Sequence, residues 1–436
     1  MRKEEKMFHL EYDVMVIGGG IAGQETALNL AEMGFKVIMI EKEASIGGKM
    51  ILLSKVFPTL DCASCIATPK MSETMRHENI QVLSYSEVTS IERIDKKFKV
   101  KILKKPKYVR EDLCTGCQEC EANCPVNVED QFNFGLVGRR AVYIPFSTAI
   151  PKTAVIDIEN CILCGVCERV CPANAIDFTQ EPECYTLKVK AVVLATGFNL
   201  FPPRKKPQYG FGKFPNVMDA MEMDRLLSPT RPYNAVVRPL DGKIPENIAY
   251  VLCTGSRDVS VGNPICSQIC CMYSIKQAQL LMEALPLADI TIYYIDIRAF
   301  GKGFEEFYQQ AKDMGVQFVK GKVAKIEEIK ETGNLIVRYE DMEGSGGVRE
   351  AEHDLVVLSV GMLANSEITS MFKYEELELD EFHYVKQVDP LLSPAKTNLK
   401  GVFAAGTATG PKDIPDSILS AGAASAEVAA YIRSLK

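Results

Sequence analysis

The sequence has no tryptophan and only four histidines. Histidine-centred acid–base catalysis and histidine-rich metal sites therefore have little to build on. No apolar run approaches the ~20 residues that cross a bilayer. The opening Met1-Arg2-Lys3-Glu4-Glu5-Lys6 mixes both charges and leads into a strand. A secretory signal would instead put a charged start before an apolar stretch, so a cytoplasmic location is expected. A basic excess is missing as well: 57 acidic residues against 50 basic ones leave a net charge of −7, which argues against nucleic acid as the main partner. Neither a low-complexity tract nor a long internal repeat occurs. Cysteine is what the chain has in quantity, fifteen in 436 residues. In a reducing compartment such a count points to metal ligation or redox chemistry rather than structural disulfides. Eight cysteines lie between Cys114 and Cys171, four between Cys253 and Cys271, Cys62 and Cys65 form a close pair, and Cys184 stands alone.

Residues 13–17 predict a short buried strand, residues 24–33 a helix stopped by Gly34, and residues 36–40 a second apolar strand ending at Glu41. This is the opening βαβ of a dinucleotide-binding fold. Between strand and helix, Gly18-Gly19-Gly20-Ile21-Ala22-Gly23 supplies G-x-G-x-x-G. Gly18 permits the tight turn, Gly20 lets the backbone approach a pyrophosphate, and Gly23 allows helix to pack on strand. The helix N-terminus faces the phosphates with free N–H groups. Glu41 is placed to accept hydrogen bonds from a ribose, and Gly48 and Lys49 are assigned to the same cofactor site. The cofactor is read as FAD from two later segments. Ala195-Thr196-Gly197, after an apolar strand at 191–194, resembles the returning turn of two-dinucleotide-domain flavoproteins. Residues 401–406, ending at Gly406, resemble their C-terminal flavin segment. Most such proteins carry an acid after that glycine; here Thr407 follows, and Asp413 is assigned the acidic role. A second βαβ-like unit is expected from a strand at 248–252, a helix at about 268–284 and a strand at 290–295, followed by strands around Gly333-Asn334, a strand at 354–360 and a last helix at about 417–433. Residues 343–347 read as a hairpin tip.

The cysteine runs are more specific. Cys114-x2-Cys117-x2-Cys120-x3-Cys124-Pro125 is followed by Cys161-x2-Cys164-x2-Cys167-x3-Cys171-Pro172, the two-cluster bacterial ferredoxin pattern. In that pattern the fourth cysteine of each run ligates the other cluster. Cys114, Cys117, Cys120 and Cys171 are thus assigned to one 4Fe-4S cluster, and Cys161, Cys164, Cys167 and Cys124 to the second; zinc is the alternative that C-x2-C pairs leave open. The chain is read as α/β: a flavoprotein with two dinucleotide-binding domains and an inserted two-cluster ferredoxin domain. Residues 1–110 form the first part of the FAD domain, 111–180 the insert, 181–245 the FAD return segment, 246–350 a nicotinamide-domain-like unit and 351–436 the C-terminal part of the FAD domain.

The stretch from Phe57 through Cys62 and Cys65 to Met71, the ferredoxin insert, and Gly410-Pro411-Lys412-Asp413 through Ser417 resemble the family of A-type subunits of heterodisulfide reductase, over nearly the whole chain from about Tyr12. The resemblance implies a thioredoxin-reductase-like fold with the ferredoxin domain inserted, in an oxidoreductase component that passes electrons between FAD and 4Fe-4S clusters. Its implied partners are B- and C-type subunits, a linker subunit of hydrogenase or formate dehydrogenase, and ferredoxin, in a dimer of heteromers. Flavin-based electron bifurcation, with ferredoxin and a CoM-S-S-CoB type disulfide as acceptors, is the activity of that family. The longest members carry an extra N-terminal domain and a C-terminal ferredoxin domain that this sequence does not contain, which leaves the electron route open. A non-bifurcating relay in sulfur or aromatic metabolism and a self-contained NAD(P)H-dependent flavoenzyme are the alternatives. The family also uses the pattern of Cys253, Cys266, Cys270 and Cys271 for a further 4Fe-4S cluster beside its flavin, giving three clusters in all; buried apolar thiols are the alternative reading. Lys276 follows on the same helix, and the resemblance places it near the flavin ring; a solvated lysine is the other possibility. Cys62 and Cys65 are read as a redox dithiol, as ligands of a cluster shared with a partner, or as structural thiols.

Overall fold

The computed structural model describes residues 11–344 and 346–435. The opening hexapeptide and Ser345, in the hairpin tip, lie outside them. The chain divides into two compact units: one takes the chain up to Ile51, Cys65–Phe198 and the residues from Ala364 on, the other Leu52–Ser64 and Asn199–Leu363.

The first unit is built on a five-stranded parallel sheet in the order Val402–Ala404, Ala191–Leu194, Val14–Ile17, Val37–Ile40, Ile80–Leu83. The first four of these strands are wholly apolar, which suits a parallel sheet covered on both faces. Helix Ile21–Glu32 follows strand Val14–Ile17 directly, and the long helix Ile414–Ser434 packs along it, with the Ser425 hydroxyl donating to Thr26 O. Beside this sheet lies an antiparallel one, Ser86–Ile94, Lys97–Lys104 and Glu183–Val189. Phe98, Val100 and Ile102 point into the core and the lysines between them point out. Lys104 and Glu183 face each other in the ladder, so the chain leaves and returns to the sheet at one point, the condition under which a whole domain can be inserted without disturbing its host.

That inserted domain has its own core of Val109, Val142, Ile144, Ala154, Ile156 and Ile176 packed with Cys120 and Cys167. Its two helices are single turns, Glu119–Asn123 and Val166–Val170.

The second unit holds a seven-stranded mixed sheet: Val217–Asp219, Leu355–Val360, Asn247–Thr254, Asp289–Tyr294, Gln317–Glu328, Leu335–Asp341, Val348–His353. The first five run parallel to one another, and the last two are joined on by antiparallel pairing. Three segments assigned from the sequence are corrected here: residues 52–64, read within the first part of the FAD domain, belong to the second unit. Residues 199–245 and 351–363 fall by sequence in the flavin domain, but Val217–Asp219 pairs with Leu355–Val360, and that strand pairs with Asn247–Thr254. Parallel pairing therefore draws both segments into the second unit.

Candidate functional site

The glycine fingerprint is explained atom by atom. Gly18 has φ +109°, and a Cβ there would lie 2.3 Å from Ala195 O. A Cβ on Gly23 would stand 1.9 Å from Gly18 O, so only glycine lets the helix sit this close to the strand. Gly20 is different: its nearest neighbour is Gly48 Cα at 3.9 Å. A Cβ on Gly48 would in turn meet Gly20 Cα at 2.7 Å. The backbones of Gly20 and Gly48 thus approach each other with no side chain between them at the helix N-terminus, the kind of bare backbone that suits a phosphate. Glu41 closes the loop from below. Its Oε2 accepts from Gly19 N–H at 2.7 Å and its Oε1 from Glu43 N–H at 2.9 Å, and burial holds its carboxyl above the usual range. Lys49 lies over the Phe198 ring at 4.8 Å, and burial lowers its pKa.

At the neighbouring strand end, Thr196 Oγ1 and Asn365 Oδ1 are buried without a hydrogen-bond partner, while Asn365 Nδ2 reaches Thr196 O at 3.5 Å. Orphaned buried polar atoms beside a bare glycine loop fit a polar ligand such as FAD. Asn365 carried no sequence signal. Gly197 and Gly406 both have positive φ, +72° and +64°, and Gly406 N–H donates to Ser420 Oγ. Asp413 is the N-cap of helix Ile414–Ser434, its Oδ1 accepting from Asp416 N–H at 2.8 Å; one oxygen of the carboxylate assigned to the cofactor is committed to the helix.

In the insert, one pocket is lined by Cys114, Cys117, Cys120 and Cys171, and a second by Cys124, Cys161, Cys164 and Cys167. The two loops repeat one backbone device. Gly116 and Gln118 have φ +67° and +68°, and at the same offsets Leu163 and Gly165 have +54° and +70°. These left-handed residues turn the chain so that three thiols face one side. Backbone N–H groups already point at sulfur: Leu163 N to Cys161 Sγ at 3.4 Å and Ala175 N to Cys171 Sγ at 3.3 Å. Burial pushes the Cys120 thiol up to about 12 and raises Cys167, so thiolates here call for a compensating cation. Among the described residues no three His, Cys, Asp or Glu side chains converge to hold a single metal ion; the thiols ring pockets instead, an arrangement shaped for a cluster.

The second unit carries the remaining four thiols. Cys253 ends strand Asn247–Thr254 with φ +58°, and helix Cys270–Ala284 opens on Cys270 and Cys271. Gln268, at φ +61°, donates its N–H to Cys266 Sγ at 3.3 Å, the same turn that Leu163 makes on Cys161. Cys270 and Cys271 are buried, while Cys253 and Cys266 are half-buried. Burial raises Cys253, Cys270 and Cys271, the last to about 12. Arg257, paired with Asp296, opposes this at Cys253; it was not foreseen from the sequence.

Lys276 is not solvated. It is 1% exposed, and its Nζ meets Asp224 Oδ1 at 2.7 Å, Lys55 O at 3.1 Å and Ser54 Oγ at 3.4 Å. Asp224 also accepts from Gln277 Nε2 at 2.8 Å and from the Ser54 backbone and hydroxyl. Cys62 and Cys65 are joined as a disulfide at the start of helix Ala63–Arg76. The C-x-x-C spacing across a first helical turn brings the two sulfurs within bonding reach, and a disulfide is the oxidised form of the redox dithiol that the spacing allows.

The profile of the pyridine nucleotide-disulphide oxidoreductases matches residues 12–137 and 167–427. The chain belongs to that family. A 4Fe-4S dicluster domain matches residues 113–176, so this oxidoreductase carries a ferredoxin-type insert within its flavoprotein fold. The resemblance to the A-type subunits of heterodisulfide reductase holds along the chain. It is 44% identical over 425 residues to the A-type iron-sulfur subunit of the CoB–CoM heterodisulfide reductase of Methanocaldococcus jannaschii, covering 97% of this chain and 64% of that protein. Identity is 47% over 417 residues to the A-type iron-sulfur subunit 2 of Methanopyrus kandleri, covering 95% and 63%. It is 43% to the A-type subunit of the ferredoxin:CoB–CoM heterodisulfide reductase of Methanosarcina mazei, covering 95% and 52%. The chain thus spans about half to two thirds of the length of these relatives. The thioredoxin reductase of T. acidophilum shares the fold at 16% identity, with a TM-score of 0.55 over 98% of this chain and 99% of that one. The Lactococcus lactis enzyme does so at 15% and 0.53, over 97% and 100%. Among the described residues no helix is long and apolar enough to cross a membrane.

Proposed function

We propose that this oxidoreductase is an electron-transfer component of a heterodisulfide-reductase-like complex, holding one FAD and three 4Fe-4S clusters. The observation that carries the reading is the pair of pockets in the insert, each lined by four thiols, in the same unit as the bare glycine loop. Bound FAD supplies the exchange between two-electron and one-electron chemistry that such a wire needs. Gly18, Gly20 and Gly23 seat its pyrophosphate, Glu41 its ribose, and Gly48, Lys49, Thr196, Gly197, Gly406 and Asp413 line the remaining length. Lys49 brings positive charge to that groove. Cys114, Cys117, Cys120 and Cys171 hold one cluster; Cys124, Cys161, Cys164 and Cys167 hold the second. Cys253, Cys266, Cys270 and Cys271 hold the third, supported by the turn at Gln268 that repeats the one at Leu163. Lys276 and the Cys62–Cys65 pair act in the same electron path.

The relatives' names supply the rest of the proposal. One from Methanothermobacter thermautotrophicus is the A-type subunit of an H2:CoB–CoM heterodisulfide,ferredoxin reductase, and one from Methanococcus maripaludis belongs to a reductase named for H2 or formate. On that basis the chain works in the cytoplasm with B- and C-type subunits and a hydrogenase or formate dehydrogenase linker, in a dimer of heteromers. Electrons are bifurcated there between ferredoxin and the heterodisulfide. Iron analysis after anaerobic purification and reconstitution tests the core of the proposal. We expect about twelve irons and one FAD per chain, and about eight irons for Cys253→Ser with FAD retained. About eight irons in the unmodified chain would remove the third cluster.

A further inference from the structure

Residues 201–215, Phe-Pro-Pro-Arg-Lys-Lys-Pro-Gln-Tyr-Gly-Phe-Gly-Lys-Phe-Pro, contain four cations and no acid, in a chain whose net charge is −7. The segment is built as a rigid plate. Two short 3-10 turns, Pro203–Lys205 and Pro207–Tyr209, each start on proline, whose fixed φ removes chain entropy. Arg204 lies over the Phe211 ring at 5.8 Å and Lys213 over Phe214 at 5.0 Å, which holds both cations against the surface. Arg204, Lys205 and Lys213 are exposed. Glu222, an acid close enough to feel Arg204, is held above the usual carboxylate range by burial and by Asp219.

The plate lies on the loop that carries Cys253. A Cβ on Gly255 would stand 2.1 Å from the Phe201 ring. Lys206 pairs with Asp258, and Tyr209, buried close enough to feel Cys253 and Asp258, donates to Val323 O at 3.1 Å. Of the four thiols in this set, Cys253 and Cys266 are the half-buried pair, and Cys253 belongs to the loop on which the plate is packed.

We propose that residues 202–214 are the docking surface for a small acidic one-electron carrier of the ferredoxin type, which exchanges electrons with the Cys253–Cys266–Cys270–Cys271 centre. The inference rests on the reading of that set as a cluster. A reduced carrier docked there is oxidised by one electron and the centre is reduced by one; no bond forms or breaks and no proton is needed. The acidic remainder of the chain repels such a carrier, so the basic plate fixes where and how it lands.

The test uses the full chain, reconstituted anaerobically with FAD and iron–sulfur clusters, and an acidic bacterial-type ferredoxin reduced beforehand. Stopped-flow absorbance follows reduction, calorimetry measures binding, and both are repeated across ionic strength. The triple variant Arg204→Glu, Lys205→Glu, Lys213→Glu should slow reduction by ferredoxin at least about tenfold at low salt and weaken binding in step. Its iron and flavin content and its reduction by dithionite should not change. The charge-matched control Lys96→Glu, Lys188→Glu, Lys400→Glu, on exposed lysines of the other unit, should stay within about twofold of the parent, because charges outside the docking surface act only through the screened field. Equal rates and binding for the plate variant and parent, or equal losses in plate variant and control, overturn the proposal. An iron content of about eight in the parent would remove the third cluster as acceptor; the binding measurement then still decides whether the plate docks the carrier.

Discussion

Lys276 shows how much a single position depends on its surroundings. The sequence placed it one turn beyond Cys271 and left a choice between a residue acting near the flavin and a solvated side chain. The structure removes the second option, because Asp224, Lys55 O and Ser54 take its donors inside the second unit. Nothing in the sequence singled out Asp224, which stands 52 residues away and is brought to Lys276 only by the packing of helix Ala220–Leu227 on helix Cys270–Ala284. Removing one partner of a buried pair leaves the other charge uncompensated. Lys276→Met should therefore lower stability by about 3–5 kcal/mol, whereas Lys276→Met with Asp224→Leu should recover most of the loss. Denaturant unfolding of the cofactor-loaded chain checks this. If the double variant is stable yet still fails to pass electrons, the pair has a role beyond packing; equal stability of single variant and parent would sink the buried-pair account.

At the scale of elements, legibility followed local constraint. The G-x-G-x-x-G loop could be read because strand, turn and helix follow one another within a few residues, with Gly23 answering to Gly18 O, and the ferredoxin runs because four-thiol spacing is set within one loop. Helix Ala63–Arg76 was missed: it contains Pro69 and mixed polarity, and its local pattern favours no helix. The strand Lys97–Lys104 went unread although Phe98, Val100 and Ile102 alternate with lysines at period two. Val217–Asp219 has three residues, too few for any period; only its pairing partner reveals which unit it joins. The fingerprint yields a sharp test. Gly23→Ala puts a methyl 1.9 Å from Gly18 O, and backbone there has no flexible side chain to yield. We expect FAD binding to weaken at least about tenfold, about 1.4 kcal/mol, with the insert's iron unchanged because its thiols lie in a separate core. Flavin fluorescence against iron content measures both; full FAD retention would mean that the close approach is not what seats the cofactor.

For the whole molecule, membership of a pyridine nucleotide-dependent family raises the question of whether a nicotinamide cofactor feeds this chain. The family fixes the fold, and the site decides the donor. In two-dinucleotide flavoproteins a second glycine fingerprint follows the first strand of the second domain, and a helix starts at once so that its N-terminus can seat a pyrophosphate. Here strand Asn247–Thr254 runs into Cys253-Thr254-Gly255-Ser256-Arg257, with one glycine of the fingerprint and a thiol in place of the first. The helix does not begin until Cys270, and its first turn carries Cys270 and Cys271. The intervening loop brings Cys266 to the same end and is tied by Ser256 to Ser267 and by Asn263 to Gly255 O. Thiols thus occupy the ground on which a nicotinamide's phosphates would rest, and the cluster proposed there would exchange electrons with docked proteins rather than with a diffusing hydride donor. Excess NADH or NADPH, added anaerobically to the cofactor-loaded chain, should leave the flavin absorbance unchanged over minutes, while dithionite or reduced ferredoxin bleaches it. Bleaching by either nicotinamide within seconds would show that the loop still admits a hydride donor, and the assignment of that ground to a cluster would have to be given up.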